Sequence, residues 1–170
     1  MSFQIDKQKS RLGFSVKHMM IATVRGTLND YDVELDLNET DLSQSSVKAR
    51  MATKSIDTQD RLRDEYLRSS WFFDPVNHPH IVYQSSAVQL RGSKLTITGK
   101  LKIRDTERVL VLEGSYRRSG SGNAERLSFD LAAELDRESY NLVFNGAVET
   151  VSVDVGKKVK LDLLIELVRS

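Results

Sequence analysis

A chain of 170 residues with 39% apolar and 29% charged side chains has enough material to bury one sizeable core. Its 25 basic and 24 acidic residues are spread along the chain and nearly cancel, so no long-range field exists to attract a nucleic-acid backbone. The lack of cysteine excludes disulfides, thiolate nucleophiles, iron–sulfur clusters and zinc–thiolate sites.

The N-terminal residues MSFQIDKQKSRLGFSV show no basic start followed by an apolar run, so no secretory signal is read. A cytoplasmic protein is expected, or a periplasmic one if a signal sequence has been removed. No apolar run approaches the roughly 20 residues of a membrane-spanning helix. The dominant pattern is instead alternation. Leu12, Phe14 and Val16 alternate with smaller or polar residues, then Tyr31, Val33, Leu35 and Leu37 alternate with Asp32, Glu34 and Asp36. The same period recurs in Val47, Ala49, Met51 and Thr53. A period of two predicts antiparallel strands with one apolar and one wet face.

Residues 61–69 break that pattern. They contain no glycine or proline, and Leu62, Tyr66 and Leu67 fall at helical spacing, which predicts one short helix over about residues 60–69. Thr58 or Asp60 is placed to cap it, and Arg61 with Glu65 and Asp64 with Arg68 form opposite-charge pairs four apart. Trp71-Phe72-Phe73 follows, an aromatic cluster that cannot all stay in water. Pro75 and Pro79 then redirect the chain into a strand starting near Ile81.

Alternation returns in Leu95, Ile97, Gly99, Leu101 and Ile103, in Leu127, Phe129, Leu131, Ala133 and Leu135, and in Val159, Leu161, Leu163, Ile165 and Leu167. Turn signals stand at Asp30, at Arg91-Gly92-Ser93, in the run 119–123 and at Gly156-Lys157-Lys158. The spacing leaves strands of about 8 to 13 residues, longer than the common 5 to 6. Long strands joined by short turns predict an all-β fold: an extended, lipocalin-like antiparallel barrel of about eight strands, closed so that no flat edge is exposed. The helix is expected to pack near one barrel mouth, and residues 1–170 to form a single domain.

Reaction chemistry finds little support. His78-Pro79-His80 places two imidazoles on opposite faces of an extended segment, and His18 would have to approach from another strand, so no metal site is read. No nucleophile elbow and no Gly-rich phosphate loop is present. Asp57 and Asp64 would do acid–base work only if one were desolvated. With Arg61, Arg63 and Arg68 beside them they are read as an ion-pair and capping network. No catalytic residue is assigned, and the chain is not read as an enzyme.

The barrel interior remains. Its inward candidates are Phe14, Val16, Leu28, Ala49, Met51, Ile81, Tyr83, Ile97, Leu101, Phe129, Leu131, Leu163 and Ile165, with Met19, Phe72 and Phe73 joining them. All but Tyr83 lack a polar group that could hold a ligand by hydrogen bonds, so an occupant must be apolar; otherwise these residues simply fill the core.

Separate blocks in the right order resemble the YceI-like family of polyisoprenoid-binding proteins. They are Ile5-Asp6 with Ser10, Phe14-Ser15-Val16-Lys17-His18-Met19, Val24-Arg25-Gly26, Ser55-Ile56-Asp57-Thr58, Arg63-Asp64, Leu67-Arg68-Ser69, Phe72-Phe73-Asp74 and Pro79. Gly99-Lys100-Leu101 with Ile103 and Thr106, then Arg137 with Tyr140, continue the series. The resemblance implies a barrel that binds, transports or stores the tail of an isoprenoid quinone or polyprenyl lipid without catalysis or a cofactor, often as a homodimer. It also implies a structural motif of Asp57, Arg63 and Asp64 fixing the helix. An enzyme acting on such a lipid and a packed barrel serving as an interaction protein are the alternatives. The chain departs from the family pattern at Lys9 and Tyr66, where histidine is usual, at Gln59 and Asn141, where glycine is usual, and at Trp71, where aspartate is usual. Many relatives are exported, which the N-terminal sequence here does not match.

Overall fold

The computed structural model describes residues 3–18, 22–144 and 155–169, His18 by its backbone alone. In chain order the strands are β1 (Phe3–Ile5), β2 (Arg11–His18), β3 (Ala22–Leu28), β4 (Tyr31–Asp36), β5 (Ser46–Ala52) and β6 (Ile56–Asp57). The helix α1 (Arg61–Leu67) precedes β7 (His80–Arg91), β8 (Lys94–Ile103), β9 (Thr106–Ser119), β10 (Arg126–Asp136) and β11 (Val155–Arg169). All are linked in one antiparallel sheet, ordered β4-β5-β7-β8-β9-β10-β11-β2-β3-β6, with β1 added along the end of β11. No described helix is long and apolar enough to cross a membrane.

The two ends of that order meet through the chain itself. Only Asn29 and Asp30 separate β3 from β4, and only residues 53–55 separate β5 from β6. β3 pairs with β6 while β4 pairs with β5, and across the gap the Ala52 N–H donates to Asp30 O at 2.8 Å. Taken as broken strands, β3–β4 and β5–β6 run side by side and complete the circle. The walls are then β2, β3–β4, β5–β6, β7, β8, β9, β10 and β11, the expected eight, with β1 as an extra. The two breaks raise the eight walls to ten strands, and β1 makes eleven among the described residues.

Period-two patterning explains which side faces in. Along β8, Leu95, Ile97, Gly99, Leu101 and Ile103 are buried while the residues between them are half-buried or exposed. β9 escapes the alternation rule because Val109-Leu110-Val111-Leu112 is apolar on both faces. Leu110 and Leu112 point into the core, whereas Val109 is 64% exposed. The turn expected at Gly156-Lys157-Lys158 is not a turn. Those residues continue β11, and the pairing with β2 shifts register between Val155 and Val159, an irregularity that absorbs the glycine within the strand. Gly114 sits tightest among the described glycines, since a Cβ there would lie 1.8 Å from the Asp130 carbonyl oxygen.

Gln59 and Asn141, the two positions where glycine was expected from the resemblance, have φ of +65° and +61°. Both occupy the left-handed region that glycine adopts without strain.

The barrel has two distinct ends. At one lie α1, the β8–β9 turn and the segment after β10. At the other lie the 37–45 connection, the β9–β10 turn and the end of β11. There Arg169 donates to Glu39 and Glu125 at 2.6 and 2.5 Å, and Arg118 donates to the same two carboxylates at 3.3 and 2.7 Å. The arginines hold both glutamates below the ordinary carboxylate range, Glu39 chiefly through Arg169 and Glu125 chiefly through Arg118.

Candidate ligand cavity

The stretch from Asp57 to His80 builds the helix end of the barrel. Asp60 caps α1, its carboxylate accepting from the Arg63 N–H at 3.1 Å. Buried Asp64 accepts from the Thr58 N–H at 3.0 Å and from the Thr58 hydroxyl at 2.5 Å. Arg63 donates from Nε to Thr58 Oγ1 at 2.7 Å and from Nη2 to Thr58 O at 2.8 Å. Arg63 and Asp64 thus both converge on Thr58 rather than on each other. Asp57 stands apart from that network, accepting from the Gln59 N–H at 2.9 Å.

The expected Asp64–Arg68 pair does not form. Arg68 instead donates to the carbonyls of Lys54 and Ile56, at 2.9 and 2.7 Å, which ties the end of α1 to the β5–β6 segment. The Arg61–Glu65 contact is present at 3.2 Å.

Beyond α1 the aromatic residues separate. Phe72 is buried, with ring centroids 4.9 Å from Phe73, 4.9 Å from Phe144 and 6.0 Å from Tyr66, while Trp71 remains 62% exposed. Arg104 of the β8–β9 turn fastens this cluster by donating to Phe72 O at 2.7 Å.

Inside the barrel is a cavity of about 550 Å³, within the range of small-molecule sites. The sequence-predicted residues reach it from every side: Phe14 and Val16 from β2, Leu28 from β3, Ala49 and Met51 from β5, and Ile81 and Tyr83 from β7. Ile97 and Leu101 contribute from β8, Phe129 and Leu131 from β10, Leu163 and Ile165 from β11, and Phe72 and Phe73 from the segment after α1. Met19 lies outside the described residues. Leu62 of α1 also lines the cavity yet is 67% exposed, so the space meets solvent beside the helix.

Two aromatic rings are held flat against the wall by glycines on adjacent strands. A Cβ at Gly26 would sit 2.3 Å from Phe14 Cζ, and one at Gly99 would sit 2.6 Å from the Tyr83 ring. The buried Tyr83 hydroxyl donates to Leu110 O at 3.0 Å, and burial pushes its phenol up from the ordinary value. Its one polar group is therefore spent on the wall.

Sequence reasoning had Arg137 only among the residues of the resemblance and did not place it in the cavity, whose helix end it lines together with Leu142 and Phe144. The signal was available: the inward series Leu127, Phe129, Leu131, Ala133 and Leu135 reaches Arg137 at its next step. This side chain is 7% exposed and donates to Gly156 O, Leu142 O and Val155 O at 2.9, 2.8 and 2.9 Å. Burial lowers its guanidinium from the ordinary value, offset in part by nearby Glu138 and Asp136.

His78 lies 3.9 Å from Asp105, and among the described residues no three His, Cys, Asp or Glu side chains group closely enough to hold a metal ion.

Comparison with known proteins places these features in context. The model of the YceI-like domain family matches residues 3–167. A UPF0312 protein of Staphylococcus epidermidis is 32% identical over 168 residues, covering 96% of this chain and 95% of the relative. The crystal structure of Burkholderia cenocepacia BcnA has a TM-score of 0.82 at 19% identity, covering 96% of this chain and 99% of that one. A polyisoprenoid binding domain from Saccharophagus degradans, implicated in plant cell wall breakdown, has a TM-score of 0.70 at 11% identity, covering 100% and 99%. At these identities the two structures speak to the fold, an extended antiparallel barrel.

Proposed function

This chain belongs to the YceI-like domain family, and we propose that it binds the tail of an isoprenoid lipid, a quinone or polyprenyl species, for carriage or storage rather than for conversion. The observation that carries this reading is the cavity of about 550 Å³, walled almost wholly by carbon and running between the two ends of the barrel. A barrel serving only as a packed scaffold has no use for such a space, because unfilled volume costs packing energy. The Saccharophagus degradans domain, described as polyisoprenoid binding, adds weight through its shared fold.

The energetics suit a long apolar chain. Each buried methylene contributes about 0.8 kcal/mol, against an association cost of about 4 to 15 kcal/mol. Roughly ten tail carbons are therefore needed to offset even a middling cost. Affinity should climb steeply with tail length and level off once the lumen is full.

Native mass spectrometry on gently purified protein, followed by organic extraction, tests the reading. A bound species with an isoprenoid tail at one per protein supports it. Protein at its bare chain mass is then offered purified quinones and polyprenols of increasing length. Failure of every one of them to bind would overturn lipid carriage and leave a barrel that acts through its surface.

A further inference from the structure

The geometry points to Arg137 as the reader of an anionic lipid head group, a phosphate or carboxylate held at the helix end of the cavity with the tail running toward the opposite end. This deepens the lipid-binding reading and rests on it.

Arg137 begins the short 3-10 turn after β10, and its side chain is more than nine-tenths buried at the cavity wall. All three of its hydrogen bonds go to neutral backbone carbonyls, those of Leu142, Val155 and Gly156. Those bonds orient the fork but supply no compensating charge. The adjacent carboxylates are occupied elsewhere: Asp136 accepts from the Glu138 N–H at 2.9 Å, and Glu138 lies 3.4 Å from Lys157 Nζ. Among the described residues no carboxylate stands within ion-pair distance of Arg137.

A guanidinium carries five N–H donors. Three are used, one from each nitrogen, which leaves one N–H on Nη1 and one on Nη2 without an acceptor among the described residues. The Phe144 ring lies against the group, with Cζ 4.8 Å from the ring centroid, and shields it from water on that side. Burying a cation is costly unless it is paired, and a planar fork with two free donors matches the oxygens of phosphate or carboxylate.

The other charged side chains on the cavity wall do not compete for this role. Arg63 is already bonded to Thr58 and lies 3.7 Å from Asp60. Toward the opposite end the wall is apolar apart from Ser45 and Ser46, which suits a hydrocarbon tail. Charge recognition at one end and tail burial along the rest fix a single orientation for the occupant.

The test uses the full chain and three probes that share one tail: farnesol, farnesyl monophosphate and a neutral quinone with a farnesyl tail. The monophosphate is expected to bind the natural chain at least about tenfold more tightly than the alcohol, as one charge-assisted contact provides. Arg137→Met should bring the two affinities within about twofold by weakening the monophosphate, with Arg137→Lys in between. Equal binding of alcohol and monophosphate to the natural chain overturns the assignment while leaving lipid binding intact. So does a preference that survives in folded Arg137→Met, or a quinone that matches the monophosphate. If Arg137→Met fails to fold for want of its three carbonyl ties, the natural chain and Arg137→Lys still decide. Binding of none of the probes, nor of the longer quinones and polyprenols, would sink the lipid reading itself, and this assignment with it.

Discussion

Replacing Asp64 by alanine should loosen the helix end of the barrel more than any other single truncation there. The carboxylate is buried, and it accepts from both the N–H and the hydroxyl of Thr58, a residue only 3% exposed. Hydrogen bonds to a charged group contribute about 1.5 to 3 kcal/mol each, and the abandoned Thr58 donors have no easy route to water. The expected loss is about 3 to 5 kcal/mol. If α1 and the barrel unfold together, a loss of about 4 kcal/mol with a urea slope of about 2.5 kcal/mol/M lowers the midpoint by about 1.5 M. If the helix opens on its own, the midpoint moves less and amide exchange across residues 58–72 accelerates by about a thousandfold. Thr58→Val, which removes the hydroxyl shared with Arg63, should cost about 1 to 3 kcal/mol, and the double variant less than the sum because the three residues form one network. A folded Asp64→Ala protein with an unchanged midpoint and unchanged exchange would refute the claim that this network anchors the helix.

Other substitutions probe the wall and the far end. Gln59→Gly should raise stability by about 0.5 to 1 kcal/mol in urea titrations by relieving a left-handed side chain, and Asn141→Gly by less, because asparagine tolerates that conformation. Tyr31→Phe should raise the melting temperature with a gain of about 1 kcal/mol, because the Tyr31 hydroxyl is buried without a hydrogen-bond partner among the described residues. Gly114→Ala should cost at least about 2 kcal/mol by calorimetry, since the new methyl meets the unyielding backbone of Asp130. Glu39 and Glu125 titrate lower in the folded protein than in the unfolded chain. Their stabilisation is complete above the ordinary glutamate value of 4.5 and disappears as pH falls through the lower folded values. Melting temperatures of the natural chain and of Glu39→Gln/Glu125→Gln should therefore differ near neutrality and converge in acid.

Much of this architecture was legible because a period of two is set by backbone geometry and survives any choice of apolar side chain. The strands containing Leu12, Val47, Leu95, Leu127 and Val159 were found that way, and the inward residues followed from their parity. β9 hid because Val109 and Val111 make its outer face apolar, erasing the contrast on which parity depends. Gly156-Lys157-Lys158 misled for the opposite reason: turn-like residues were accommodated inside a long strand by a register shift. The capped helix was readable from local chemistry, but the true partners of Asp64 and Arg68 were not. Asp64 turns back to Thr58, six residues upstream, instead of pairing with a cation, and Arg68 reaches the carbonyls of Lys54 and Ile56, brought close where the chain doubles back after β5. Arg137 was named in the resemblance yet not counted with the inward residues, because a charge on the inward parity reads as the end of a strand; the strand does end at Asp136, but the fold carries the next side chain into the wall.

The rings that lie flat over Gly26 and Gly99 give the barrel an adjustable calibre. Phe14 can rest against the wall only while its neighbour across the strand pair has no side chain, and the same holds for Tyr83. A single methyl at Gly26 has a flexible ring tip as its nearest neighbour, so the ring would tip inward and narrow the bore at that height. At Gly99 a backbone oxygen lies 2.5 Å from the same position, so that side is braced and resists such retuning. The diameter of the passage is thus set by residues that need never touch what passes through it, and one wall can be regauged without exchanging any side chain that lines it.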